Sequence, residues 1–132
     1  MKSGIDEKTL ILKMEMAAKK KEKEQWYGVD LDGTLAMYDG FKGPDVIGDP
    51  IPAMLARVKR WLAAGKQVRI MTARVSPKTP GHDKARKAIR AWLKEHLPGY
   101  DIPITHEKDY LMKELWDDKA VTVEENTGKK LA

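Results

Sequence analysis

The residues that could do chemistry are mostly carboxylates. Asp30 and Asp32 stand two apart in Asp30-Leu31-Asp32-Gly33-Thr34-Leu35, and Asp117 and Asp118 are adjacent near the end of the chain. Between them lie Thr72 and Arg74, directly after an apolar run, and a lysine at Lys108. In an extended backbone, alternate residues leave on the same side, so Asp30 and Asp32 share one side while Leu31 points into a core. One carboxylate of such a pair can attack as a nucleophile while the other serves as acid and base. Four carboxylates brought together would repel each other unless a cation sat among them. The donors would be hard oxygens, and for a site that handles phosphate Mg2+ is the natural choice.

These residues need strands to deliver them. Trp26-Tyr27-Gly28-Val29 is short, aromatic and β-branched, reads as a buried strand, and runs straight into Asp30. Residues 36–50, rich in Gly, Pro and Asp, read as a loop or flap. Asp49-Pro50 is expected to open a helix with an apolar stripe of Met54, Leu55, Val58, Trp61 and Leu62, stopped at Gly65. Gln67–Met71 is a second strand that ends at Thr72, and residues 75–83 form a second loop. A helix follows from about Asp83 to His96, with Ala85, Ile89, Trp92 and Leu93 inward. Ile102–Thr105 reads as a third strand, Leu111–Leu115 as a short helical turn, and Ala120–Val123 as a last strand. Strands alternating with helices predict an α/β fold: a three-layer Rossmann-like sandwich with a mainly parallel central sheet. In such a sheet the loops at the strands' C-terminal ends meet in one crevice. The carboxylates, Thr72, Arg74 and Lys108 all belong to those loops.

Composition sets the limits. The 132 residues suit one domain, with 42% apolar and 34% charged residues. No cysteine is present, which excludes disulfides, thiolate metal sites and a cysteine nucleophile. No long apolar run marks a signal peptide or a membrane span, and a cytoplasmic location is expected. Residues 1–24 read as an N-terminal helical extension with a Lys- and Glu-rich second half, and residues 25–132 as the catalytic domain. The extension would pack on its own domain or on a second copy, giving a homo-oligomer, or would serve as a nucleic-acid-binding arm. The net charge of +5 is spread along the chain and names no partner by itself.

Four motifs in sequence order resemble those of the haloacid dehalogenase (HAD) superfamily of phosphatases and phosphotransferases. Asp30-Leu31-Asp32-Gly33-Thr34-Leu35 is similar to the first; Ile70-Met71-Thr72 resembles the second, a hydrophobic strand ending in Ser or Thr. Lys108 is placed like the lysine of the third, with Lys113 as the alternative, and Asp117-Asp118 resembles the paired acids of the fourth. The resemblance implies a phosphatase without a large cap domain. Asp30 would form an aspartyl-phosphate, and Asp32 would protonate the leaving oxygen and later activate water. Thr72 and Lys108 would hold the phosphoryl oxygens. Asp30, Asp32 and Asp118, with Asp117 as a close second, would bind Mg2+, Asp32 through its backbone carbonyl. Gly33, Thr34, Ala73 and Arg74 would border the phosphorylated substrate. Arg74 would contact a substrate phosphate or pair with a local carboxylate.

Arg74, together with the basic helix residues Arg86, Lys87, Arg90 and Lys94, resembles phage-type polynucleotide kinase/phosphatases and points to a polynucleotide 3′-phosphate. Other readings are a receiver-like phosphoacceptor and an inactive relative that binds phosphate or nucleic acid. Receivers, however, place adjacent acids after their first strand, whereas here the adjacent pair comes last. A calcium loop starting at Asp30 fails because Leu35 falls where glycine is needed and Phe41 where the bidentate glutamate is needed. His82 and His106 fall in loops near the expected crevice, and His96 suits a helix C-terminus.

Overall fold

The computed structural model describes residues 4–131. Its elements in chain order are α1 (Glu7–Glu24), β1 (Trp26–Asp30), α2 (Pro52–Ala63), β2 (Gln67–Met71), α3 (His82–His96), β3 (Ile104–Thr105) and β4 (Met112–Trp116). The four strands form one sheet in the order β3-β2-β1-β4, and every pairing is parallel. This is an α/β architecture compatible with a Rossmann-like fold.

Register explains where the core lies. Tyr27 pairs with Val68, and Val29 with Ile70, which pairs in turn with Ile104, so these residues share one face of the sheet. Val29, Val68, Ile70 and Ile104 join Met54 and Val58 of α2 and Ile89, Trp92 and Leu93 of α3 in a single apolar cluster. Trp61 of α2 stacks on Tyr27 at 4.8 Å and meets Trp116 edge-on at 5.2 Å. On the other face Trp26 is fully buried, and its indole Nε1 donates to Asp109 at 2.8 Å. Asp109 also accepts from Arg69 (3.0 Å) and from the Leu111 backbone N–H (2.9 Å). Those donors hold its carboxyl below the usual range, the Trp26 bond most of all. They pin the short β3–β4 connection flat against the sheet.

Several sequence expectations are corrected. Leu111–Leu115 is no helical turn: Met112–Trp116 is an extended strand beside β1, with a register irregularity at Trp26/Tyr27. Its charged centre, Lys113-Glu114, stays exposed because β4 is an edge strand. Ala120–Val123 does not join the sheet; only Val123 is bridged, antiparallel, to Lys130. The third strand covers just Ile104–Thr105. Asp49 does not cap α2, which starts two residues later than expected. Ile51 occupies the cap without a side-chain bond, Pro52 begins the helix, and the Asp49 carbonyl instead accepts from Met37 N–H.

At the N-terminus, Asp6 caps α1 by accepting from Thr9 N–H at 2.7 Å. The 18-residue helix buries none of its residues. Its C-terminal end is tied to the sheet by Gln67 Nε2, which donates to the Lys23 carbonyl. Among the described residues, no helix is long and apolar enough to cross a membrane.

Candidate functional site at the strand ends

β1 lies between β2 and β4, so its C-terminal residue has a neighbour on each side. Asp30 pairs with Met71, which puts Thr72 one step beyond on one flank. Val29 pairs with Trp116, which puts Asp117 level with Asp30 on the other. Asp30, Asp117 and Asp118 each bring one carboxylate oxygen within 4.8 Å of the others. With no counter-charge among them, the Asp30 carboxyl is pushed up to about 7. Burial is the main cause, followed by the negative charges of Asp117 and Asp118 and then of Asp32.

The turn after β1 builds the rest. The Leu31 carbonyl accepts from the backbone N–H groups of Leu35 and Ala36, and Leu31 and Leu35 are fully buried. Gly33 sits at φ +87°, and a Cβ there would lie 2.6 Å from an Asp118 oxygen. Any side chain at this position would therefore push the Asp118 carboxylate aside. Thr34 Oγ1 accepts from Asp118 N–H at 3.0 Å and lies 3.4 and 3.3 Å from carboxylate oxygens of Asp30 and Asp118. Thr34, expected to border substrate, links the end of β1 to Asp118.

Asp32 is separated from that trio. Arg74 grips it with two parallel bonds, Nε to Oδ2 at 2.8 Å and Nη2 to Oδ1 at 3.0 Å. The Arg74 Nη1 donates to the carbonyls of Gly43 (3.0 Å) and Pro44 (3.2 Å) in the 36–50 loop. The carboxylate pairing expected as one of two alternatives for Arg74 is present, and the residue, only 8% exposed, also lines the cleft. A bidentate guanidinium of this kind fixes the orientation of the carboxylate and leaves each oxygen a further lone pair. Asp32 is not part of the close carboxylate trio, so its side chain lies apart from the other expected metal ligands.

Thr72 is 5% exposed; its Oγ1 accepts from Arg74 N–H at 3.2 Å and caps the single 3-10 turn Ala73–Val75. Asp30, Asp32, Tyr38, Thr72, Ala73, Arg74, Asp117, Asp118 and Lys119 line one open cleft of about 330 Å3. Lys108 is not among the lining residues. Lys113 is at the other end of β4 and lines a separate cavity with Lys19, Lys23 and Lys66. The lysine at the cleft is Lys119, directly after the acidic pair. Sequence reasoning passed over it by looking for a lysine upstream of Asp117. Tyr38 was missed as well, since nothing in a loop's composition says which way its tip folds.

Two further expectations change. His82, expected in a loop, is the first residue of α3 and its Nδ1 meets the Thr79 carbonyl, and neither it nor His106 lines the cleft; His96 ends α3 as expected and packs on Trp92 at 4.6 Å. On α3, Arg86 and Arg90 donate to the carbonyls of Ile104 and Ile102, each at 3.0 Å. These two arginines of the basic helix face are tied to the edge of the sheet.

Comparisons with protein-family models, with curated proteins and with solved structures give no match for this chain.

Proposed function

We propose that this protein is a Mg2+-dependent phosphomonoesterase that works through an aspartyl-phosphate on Asp30. The observation that carries the reading is the convergence of Asp30 with Asp117 and Asp118 at the strand ends, with Thr72 on the opposite flank. HAD membership and a three-layer sandwich belong to the same proposal and rest on the order of the four motifs.

The donor set fits the metal. Three carboxylate oxygens within 4.8 Å, with no sulfur or imidazole beside them, are the hard ligands that Mg2+ takes. An Asp30 carboxyl raised to about 7 marks a cluster that lacks a positive charge. Asp30, Asp117 and Asp118 would hold the ion, whose charge would let an anionic aspartate approach an anionic ester.

The chain's own groups divide the remaining work. An Asp30 oxygen attacks phosphorus as the bond to the leaving oxygen breaks, and Asp32, entering the step as the protonated acid, gives that oxygen its proton. Asp32 then takes a proton from the water that hydrolyses the aspartyl-phosphate and frees Asp30. Arg74 is a positioning residue that holds Asp32 in line. The Thr72 hydroxyl and Lys119, in the place foreseen for Lys108, face the charge that spreads over the phosphoryl oxygens. A polynucleotide 3′-phosphate is one such monoester; Arg86 and Arg90 each spend one N–H on the Ile104 and Ile102 carbonyls and keep further donors.

The test is hydrolysis of para-nitrophenyl phosphate in Mg2+ and in EDTA. The parent should turn over in Mg2+ alone, and Asp30→Asn should lose about a thousandfold or more in kcat. Turnover that survives either EDTA or Asp30→Asn would sink the assignment.

A further inference from the structure

The loop between β1 and α2 has a rooted base and a free tip. At its base Ala36 and Pro50 form an antiparallel bridge, and Met37 N–H donates to the Asp49 carbonyl at 2.8 Å. Gly48 lies so close to the Met37 carbonyl that no side chain would fit between them. The Gly48 carbonyl accepts from Trp92 Nε1 at 3.0 Å, and Arg74 holds Gly43 and Pro44. A loop fixed at this many points displays its tip in a defined place. Yet the tip carries Tyr38 at 47% and Phe41 at 62% exposure.

Tyr38 lines the carboxylate cleft directly, and it also lines a small adjoining cavity with Asp32 and Arg74. The Phe41 ring lies 5.4 Å from the Arg74 guanidinium carbon. The two exposed rings therefore stand beside the residues that would handle the leaving oxygen. Exposed aromatic surface that continues into a polar cleft has a use when a ligand spans both.

We propose that this tip is the leaving-group recognition element and that it takes a planar aromatic ring, stacked on Tyr38 with Phe41 alongside. The proposal rests on the phosphatase reading and adds the class of substrate: a phosphomonoester whose alcohol carries a flat ring. A flat ring gains offset or edge contacts with both aromatics that a puckered ring of the same size does not. Selectivity of this kind would be read in substrate binding.

The experiment compares benzylphosphonate with cyclohexylmethylphosphonate as competitive inhibitors of para-nitrophenyl phosphate hydrolysis. The two differ in ring planarity and share the anion. Benzylphosphonate should bind about fivefold tighter or more, and the preference should fall towards parity in Tyr38→Leu and in Phe41→Leu. Adenosine monophosphate against ribose phosphate, measured in the same way, tells whether a nucleobase serves as the ring. Equal inhibition by the two phosphonates, or a preference that both variants keep, overturns the inference and leaves the phosphatase reading standing. So does a loss of self-association in either variant with the preference unchanged, which assigns the tip to contact between copies. No hydrolysis by the parent in Mg2+ overturns the phosphatase reading and this inference with it.

Discussion

Asp30 binds its proton more tightly in the folded protein than in the unfolded chain, where its carboxyl titrates in the ordinary range. Between about pH 4 and about pH 7 the native state therefore holds a proton that the unfolded state has released, and metal-free stability falls as pH rises through that window. On the proposed reading Mg2+ would bind the deprotonated cluster, so its addition should raise Tm more at about pH 8 than at about pH 5. Thermal melts in EDTA and in Mg2+ check this; a Mg2+ shift that does not change with pH contradicts it. Asp30→Asn removes the repelling charge and should raise the metal-free Tm at neutral pH by about 2–5 °C. The carboxylates were legible because their spacing and their places after apolar runs carry the signal. The Arg74–Asp32 pair could only be left as one of two options: it joins residues from two different strand ends, and nothing local specifies it. Lys119 escaped for a different reason, since a lysine beside two acids reads as ordinary charge balance.

Among the elements, β3 shows how a two-residue edge strand is kept. Its inward carbonyl at Thr105 accepts from Thr72, just after β2, and that of Pro103 just before it accepts from Ile70 of β2. The alternate carbonyls, of Ile102 and Ile104, point the other way and would be left open were they not taken by Arg90 and Arg86 of α3. Arg86→Ala and Arg90→Ala should each cost about 1 kcal/mol, because a carbonyl loses a charged donor. The double variant should also associate more readily, as its exposed edge can pair with another chain. Denaturant melts and light scattering read the two effects; a double variant as stable and as monodisperse as the parent would refute the role. Helices α2 and α3 were visible in the sequence because their apolar residues recur at helical spacing over three turns or more. β4 was not, because Met112, Leu115 and Trp116 fall at spacings that a helix also allows. Only pairing with β1, remote in sequence, makes the segment extended.

For the molecule as a whole, α1 stands apart from the core. It buries no residue and leaves Leu10, Ile11, Leu12, Met14 and Met16 about half exposed. Removing residues 1–20 should shift the Tm by less than about 2 °C while lowering the helical circular-dichroism signal. A larger loss of Tm would mean that the helix supports the domain. The sequence marked this segment as an extension through its unbroken Lys and Glu run, but it could not say what the apolar positions touch.

The parallel sheet also has a kinetic side. β1 and β2 can pair once the intervening helix has formed, but β4 must come back from the far end of the chain to reach β1. Closing so long a loop is the entropically expensive and slow part of folding such a topology. Asp117 and Asp118 arrive with that strand. The acidic trio is therefore complete only once that long-range pairing has been made, and its assembly is tied to the docking of β4.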